Sequence, residues 1–554
     1  MKPYKKIVLS AIGVFMMMSC TDDSQPDFSV EKPDSVKAVE YLNKYDALKA
    51  YVDRTANPDF KLGAGATVSD YNSKGVFYRL ANANFDELTA GYAMKHGAIV
   101  QDDGSLNLLN VEKFLELTEA AGLTVYGHTL CWHANQNAEY LNGLIQPALE
   151  PSVITNTDFE IDASGWEGWG NNSTRGRSAL GEGLDGGYCY YFTNPSETDA
   201  WAAQTAFDLA APLKEGSEYR LSLYIKASSK GAITAEIQTN TDYSSNSFGA
   251  IEVTTEWKKI DMSVTPSTGT RNRFLFSHGK FEGTVYIDNI TLRRVNPNGG
   301  PEKTEEEKKE VLTQELETWI AGMYSVTKDK VKAWDVVNEP MSDWPDPYEL
   351  KTGIGKELTA DEFYWQDYLG KDYAVTAFNL ARKHGNETDI LFINDYGLEY
   401  NLDKCKGLIE YVKYIESKGA RVDGIGTQMH VSVSDANRET ITEMFKLLAA
   451  TGKKIKISEL DLGLGDGKTT EEATEEDYIA QSDLYEFIVS EYFKIIPPAQ
   501  RYGITMWSPL DSPKTSSWRK GEPIGLWTES YTRKHAYAGF ANGLAGRDIS
   551  SDLD

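Results

Sequence analysis

Cysteine is scarce in this chain of 554 residues, with only four. Apart from Cys20 they are Cys131, Cys189 and Cys405, an odd number whose spacing fits neither a disulfide framework nor a zinc site. They read as free or buried thiols. Positive charge is also in short supply. Lys and Arg number 56 against 83 Asp and Glu, a formal net charge of −27. A surface that acidic repels phosphate backbones, which argues against nucleic acid and leaves neutral polymers open as partners. Beyond the first twenty residues no stretch is long and apolar enough to cross a membrane. Hydrophobic residues make up 41% and charged residues 25%, a soluble globular composition. The length exceeds one ordinary core, so two or more domains are expected. The 12 Trp and 31 Tyr offer flat rings suited to sugar faces, although packing accounts for most of them.

The first residues form a processing segment. Lys2, Lys5 and Lys6 precede a short apolar stretch, Ile7 to Met18, which ends at Ser19-Cys20. This is the pattern of a signal peptide. It resembles a bacterial lipoprotein signal, in which cleavage before Cys20 leaves a lipidated N-terminus. Residues 1–19 are thus read as the signal and 20–40 as a polar, acidic tether. The expected location is the outer membrane, with cell-surface display and the periplasmic face as the two options.

From residue 60 onward, strand-like and helix-like stretches alternate. Eight strands are expected, at 60–66, 85–89, 123–127, 331–337, 390–394, 423–427, 455–458 and 503–507. Helical patterns lie between them, at 111–121, 305–324, 362–384, 402–417, 438–450 and 476–493. The fold class is therefore α/β, a (β/α)8 barrel whose sites lie at the carboxyl ends of its strands. Residues 152–295 break the pattern. They are rich in Gly, Ser, Thr and Asn and alternate in hydropathy, as in 219–225 and 284–292, which reads as an all-β jelly-roll sandwich. The barrel would then be discontinuous, 41–150 and 300–547, with the sandwich inserted after its third strand on the catalytic face.

Two buried-strand segments, 331–340 and 454–462, run into glutamates, Glu339 and Glu459. Burying an ionisable group there costs free energy unless it is paired or working. Two carboxylates brought together at a sugar are the machinery of glycoside hydrolysis. Several segments carry a resemblance: Gly127 to His133, Trp334 to Glu339, Asn394 to Tyr396, Asp423 to His430, Ser458 to Asp461, and Trp507 with Ser517-Trp518. In order and spacing they resemble the endo-1,4-β-xylanases of glycoside hydrolase family 10, over nearly all of 60–150 and 300–545.

The resemblance implies a retaining hydrolase of xylan or xylo-oligosaccharides that needs no cofactor for catalysis and acts as a monomer. Glu339 would be the general acid/base, with a raised pKa, and Glu459 the nucleophile. His430 and Asp461 would hold the nucleophile's charge state, and Asn338 would contact the sugar 2-hydroxyl. Lys95, His128, Trp132, Gln428, Trp507 and Trp518 would grip and wall in the glycone sugar. A metal at His128 and His133 is set aside because no acidic or Cys partner has ligand spacing. One departure stands out. Where the family has Glu-Asn-Glu before the lysine segment and Trp after it, this chain reads Gly91-Tyr92-Ala93-Met94-Lys95-His96. Lys95 remains, and Tyr92 is a candidate stacking surface in place of the missing polar grip. The other readings are a β-1,4- or mixed-linkage glucanase, and a non-catalytic glycan-binding lipoprotein, which the intact glutamates oppose.

Residues 152–295 resemble a carbohydrate-binding module of the family 4, 9 and 22 type, on the segments 156–160, Gly165-Trp166, 219–227 and 286–292. Trp169, Trp201, Tyr243 and Phe248 are its candidate sugar contacts. Such modules often carry a structural calcium. Glu160 and Asp288 are the candidate ligands, with a metal-free hydrogen bond at the sheet end as the alternative.

Overall fold

A computed structural model describes residues 40–146, 149–296 and 303–553. The signal segment, Cys20, most of the tether and most of the linker at 296–301 lie outside the described residues. Three strands come first: β1 (Lys61–Ala66), β2 (Glu87–Ala90) and β3 (Thr124–Cys131). The inserted part follows with β4 (Trp166–Trp169), β5 (Arg175–Arg177), β6 (Tyr190–Asn194), β7 (Gln204–Asp208) and β8 (Tyr219–Ala227). It continues with β9 (Gly231–Gln238), β10 (Ser245–Val253), β11 (Lys258–Val264), β12 (Arg273–Ser277) and β13 (Gly283–Arg294). The chain ends with β14 (Val331–Asn338), β15 (Ile390–Asp395), β16 (Gly424–Thr427), β17 (His430–Ser432), β18 (Lys454–Gly463) and β19 (Arg501–Met506).

Eight of these strands, β1, β2, β3, β14, β15, β16, β18 and β19, pair in parallel, and β16 with β18 closes the barrel. All eight expected strands are there. β14 and β18 are buried along nearly their whole length, as a strand covered by helices outside and side chains inside must be. The short β17 adds to the top of β18 and sets His430 opposite Asp461. The expected helix over 362–384 is two, Trp365–Leu369 and Tyr373–His384, because Gly370 lies between them at φ 70°.

The insertion follows a short helix, Ala138–Ile145, beyond the carboxyl end of β3. Its strands make two five-stranded sheets, β10-β9-β12-β7-β4 and β11-β8-β13-β6-β5. β8 alternates strictly between buried and half-buried residues, the mark of a sheet with one face on a core. That core is separate from the barrel's and includes Trp166, Phe192, Phe207, Phe274 and Phe276. The barrel resumes with the helix Glu305–Thr327, whose start is fixed by a reciprocal cap between Thr304 and Glu307. Polar contacts between the parts include Lys258 Nζ, 2.5 Å from Glu357, and Arg220, which donates to Gln146 at 3.3 Å. Glu357 belongs to the long loop that follows Glu339, so the inserted sandwich stands beside the catalytic face. Cys131, Cys189 and Cys405 are buried free thiols.

Candidate active site

Glu339 is the first residue past β14. Its backbone is left-handed, φ 51°, a conformation that strains a non-glycine residue. The Glu339 N–H donates to Asn394 O at 2.7 Å, which ties the strained turn to the end of β15. The side chain meets Gln428 Nε2 at 2.9 Å, Asn338 Nδ2 at 3.4 Å and Lys351 Nζ at 3.4 Å. Glu459 sits inside β18, nearly sealed from solvent. It accepts a hydrogen bond from Asn394 Nδ2 at 2.9 Å, and His430 Nε2 is 3.6 Å away.

Asn394 links the two glutamates. Its amide also donates to Asn338 Oδ1 at 2.9 Å, and its oxygen accepts from Ser458 at 2.6 Å. His430 is in turn held by Asp461, 3.1 Å from Nδ1. Asp461 is fully buried, receives the Trp518 indole N–H at 2.7 Å and lies 3.2 Å from Arg519 Nε. Lys95, also buried, lies 4.5 Å from the Trp132 ring centre and 5.9 Å from that of Trp507. His128 packs edge-on to Trp507, with its Nδ1 2.9 Å from Asp335. The structure thus brings Glu339, Glu459, Asn338, Lys95, His128, Trp132, Gln428, His430, Asp461, Trp507 and Trp518 to one end of the barrel.

The charges are set by these neighbours. Burial pushes the Glu459 carboxyl up, but His128, His430 and Lys95 outweigh it and hold the group below its usual range. Burial works against a charged His430, yet Asp461 and Glu459 drive it up to about 10, so it is an imidazolium at neutral pH. At Glu339 the expectation of a raised pKa fails. Burial does raise it, but the Lys351 ammonium, His133 and the hydrogen bond from Gln428 bring it down to about 2. His133, pushed to about 4 mainly by burial, is neutral above that pH and adds to the pull only in acid. Lys351 is therefore the lasting cause. In the free protein Glu339 is a carboxylate.

Four groups at the site escape sequence reading. Asn394 lies in a segment singled out for its resemblance, but nothing in it shows that this side chain bonds the nucleophile. Lys351 reaches Glu339 from a loop twelve residues on, with its ammonium over the Tyr396 ring at 4.3 Å. Tyr396 donates to Asp343 at 2.6 Å. Glu399 is fully buried near His430, and neither of its oxygens has a hydrogen-bond partner among the described residues. Burial pushes its carboxyl up to about 7.

In the inserted sandwich, Trp169 lies at the edge of the first sheet's outward face, in one row with Gln204, Ser277 and Thr234. Gln204 donates to Ser277 at 3.1 Å and Ser277 to Glu236 at 3.3 Å. The Arg273 guanidinium lies 4.9 Å from the Trp169 ring centre. Trp201 and Tyr243 are 69% and 65% exposed. Phe248 is not a surface contact. It is 9% exposed and packs on Phe274, because a bulge between Ser247 and Gly249 turns it to the inner face.

Glu160 accepts the Tyr188 N–H at 2.8 Å, and Asp288 accepts those of Leu184 at 2.9 Å and Asn289 at 2.8 Å. Calcium takes six to eight oxygens. Among the described residues no group of three or more His, Cys, Asp or Glu is arranged to hold a metal ion.

Comparison with known proteins agrees with this geometry. The family model for glycosyl hydrolase family 10 matches residues 52–156 and 298–543, and one for a carbohydrate binding domain matches 151–279. Endo-1,4-beta-xylanase C of Paenibacillus barcinonensis is 30% identical over 226 residues, 39% of this chain and 20% of that protein. Endo-1,4-beta-xylanase A of Cellvibrio japonicus is 31% identical over 233 residues, 39% of this chain and 38% of that protein. This chain therefore spans well under two thirds of either relative. Among solved structures, a GH10 protein from Paenibacillus barcinonensis superposes with a TM-score of 0.53 at 19% identity, over 90% of this chain and 97% of that one. Xylanase B from Clostridium stercorarium F9 does so with a TM-score of 0.53 at 17% identity, over 90% and 100%. At that identity these two speak for the fold alone. The chain belongs to glycosyl hydrolase family 10, its barrel divided by a carbohydrate-binding domain inserted beyond the third strand.

Proposed function

We propose that the chain hydrolyses internal β-1,4-xylosidic bonds of xylan with retention of configuration. The observation that carries this reading is the pair Glu339 and Glu459, joined through Asn394 and set in different surroundings. Glu459, held ionised by His430 and Lys95, attacks the anomeric carbon and forms a glycosyl-enzyme ester. Glu339 gives a proton to the departing oxygen, then as a carboxylate takes one from the water that opens the ester. Lys351 favours the carboxylate, so it suits the second step and opposes the first. Glu339 then gains its proton only with substrate in place. Xylan as substrate follows the names of the relatives.

The outward face of the first sandwich sheet, with Trp169 in its polar row and the exposed Trp201 and Tyr243 in turns before β7 and between β9 and β10, is proposed to hold the same polymer. Xylan retardation of the 152–295 region in affinity electrophoresis tests that, and no retardation removes it. For catalysis the test is reducing-sugar release from xylan and from β-glucan by wild type, Glu339→Ala and Glu459→Ala. Xylan release by wild type, lost in both variants, is expected. No release from xylan by wild type defeats the reading.

The N-terminal pattern supports a further proposal, that Cys20 is lipidated and anchors the protein in the outer membrane. Labelling of cells with palmitate should mark wild type and not Cys20→Ala.

A further inference from the structure

The segment Gly91-Tyr92-Ala93 leaves the glycone end of the cleft without the acid and amide expected there. What stands there instead comes from three separate parts of the chain. Tyr92 is 54% exposed, and its carbonyl accepts the Lys95 N–H at 2.9 Å, which fixes it one turn from the buried lysine of the catalytic pocket. Asp361 arrives on the loop that follows Glu339. It is seated on the loop beyond β3: its carbonyl accepts the Gln136 N–H at 2.9 Å and its carboxylate the Asn135 N–H at 3.2 Å. The same loop beyond β3 is tied to the Lys95 segment, because the Gly97 N–H donates to Asn135 O at 2.8 Å, so Asp361 is seated beside that segment.

Tyr224 is the third part. It lies on β8 with its side chain on the outward face of the second sandwich sheet, the face it shares with Arg220. Arg220 touches Gln146 of the barrel, and Ile225, next to Tyr224, is paired with Lys258, which touches Glu357. Along β8 these two contacts bracket Tyr224, and Glu357 belongs to the same barrel loop as Asp361. This is not the face that bears Trp169. That tryptophan belongs to the other sheet.

We propose that Tyr92, Asp361 and Tyr224 form a subsite shared by barrel and sandwich, which holds xylose units of a β-1,4-xylan chain beyond those in the catalytic pocket. The proposal rests on the xylanase reading given above. The chemistry suits a neutral sugar polymer: two phenol rings can lie on pyranose faces and one carboxylate can accept from sugar hydroxyls. Continuity with the pocket through Lys95 selects the glycone side of the same chain as the occupant. The inserted sandwich would then lengthen the cleft as well as hold polymer on its far sheet.

The test is the ratio of kcat/KM on xylohexaose to kcat/KM on an aryl xylobioside, measured on the full chain. Tyr224→Ala, Tyr92→Ala and Asp361→Asn should each lower that ratio about fivefold, as expected for one lost stacking or hydrogen-bonding contact. Tyr224→Phe should keep most of it. Equal losses on both substrates, or no loss on either, would overturn the shared subsite and reduce Tyr224 to packing. Calorimetric titration of Glu459→Ala, with and without Tyr224→Ala, with xylohexaose gives a readout independent of turnover. Weaker binding in the double variant is expected and equal binding counts against the proposal. Wild type inactive on every xylo-oligosaccharide would defeat the xylanase reading, while the titration would still decide this one.

Discussion

The catalytic end of the barrel and the outward faces of the inserted sandwich use similar residues in opposite ways. In the barrel, Glu459, Asp461 and Lys95 are buried, His430 is partly buried with Glu459 3.6 Å and Asp461 3.1 Å from its ring, and Lys95 lies 4.5 Å from the Trp132 ring centre. In the sandwich, Trp201 and Tyr243 stand clear of their sheet. On the function proposed above, the difference follows from the work. Charge that must stabilise a reacting centre gains strength when water is excluded and partners are already in place. A surface that captures a polymer needs accessible flat area more than burial. Trp518 shows the middle case, partly exposed yet fixed by its bond to Asp461.

That contrast can be broken first at Phe248, which belongs to the sandwich core and not to its surface. Phe248→Ala should cost about 3–5 kcal/mol of stability in denaturant unfolding, whereas a surface contact would cost little. Next is Glu399, a buried barrel carboxyl whose pKa of about 7 lies above that of an unfolded glutamate. The unfolded chain loses this proton near pH 4.5 and the folded one near 7, so stability falls as pH rises between those values. Glu399→Gln should narrow the difference in unfolding free energy between pH 4 and pH 8 by up to about 3 kcal/mol. An unchanged difference would mean that Glu399 is ionised in the fold.

Smaller effects sharpen the comparison. Lys351→Met removes the main cause of the low Glu339 pKa, so the alkaline limb of the kcat profile, which reports the substrate complex, should move up by about one unit. A fixed limb would show that another group controls Glu339. Trp201→Ala should weaken xylan binding by about 1 kcal/mol, roughly fivefold, with little change in melting temperature. A large fall in melting temperature would make Trp201 a packing residue.

Much of this was legible in the sequence. The eight strands show as short apolar runs between amphipathic helices, and Glu339 and Glu459 were visible because an acid at the end of, or inside, such a run is out of place. The insertion showed as a change from helical to alternating patterning. What stayed hidden depends on contacts between distant residues. Lys351 reaches Glu339 only because the loop folds back, and that contact reverses the expected pKa shift. Phe248 faces inward because of one bulge, which shifts a strand's alternation without marking the composition. Gly370 split a helical pattern that periodicity alone read as continuous.

The central claim is a double displacement through Glu459. Proton NMR of the products in the first minutes of xylo-oligosaccharide hydrolysis tests it most directly. The account predicts that the β-anomer of the new reducing end appears first and then mutarotates. First appearance of the α-anomer would contradict it.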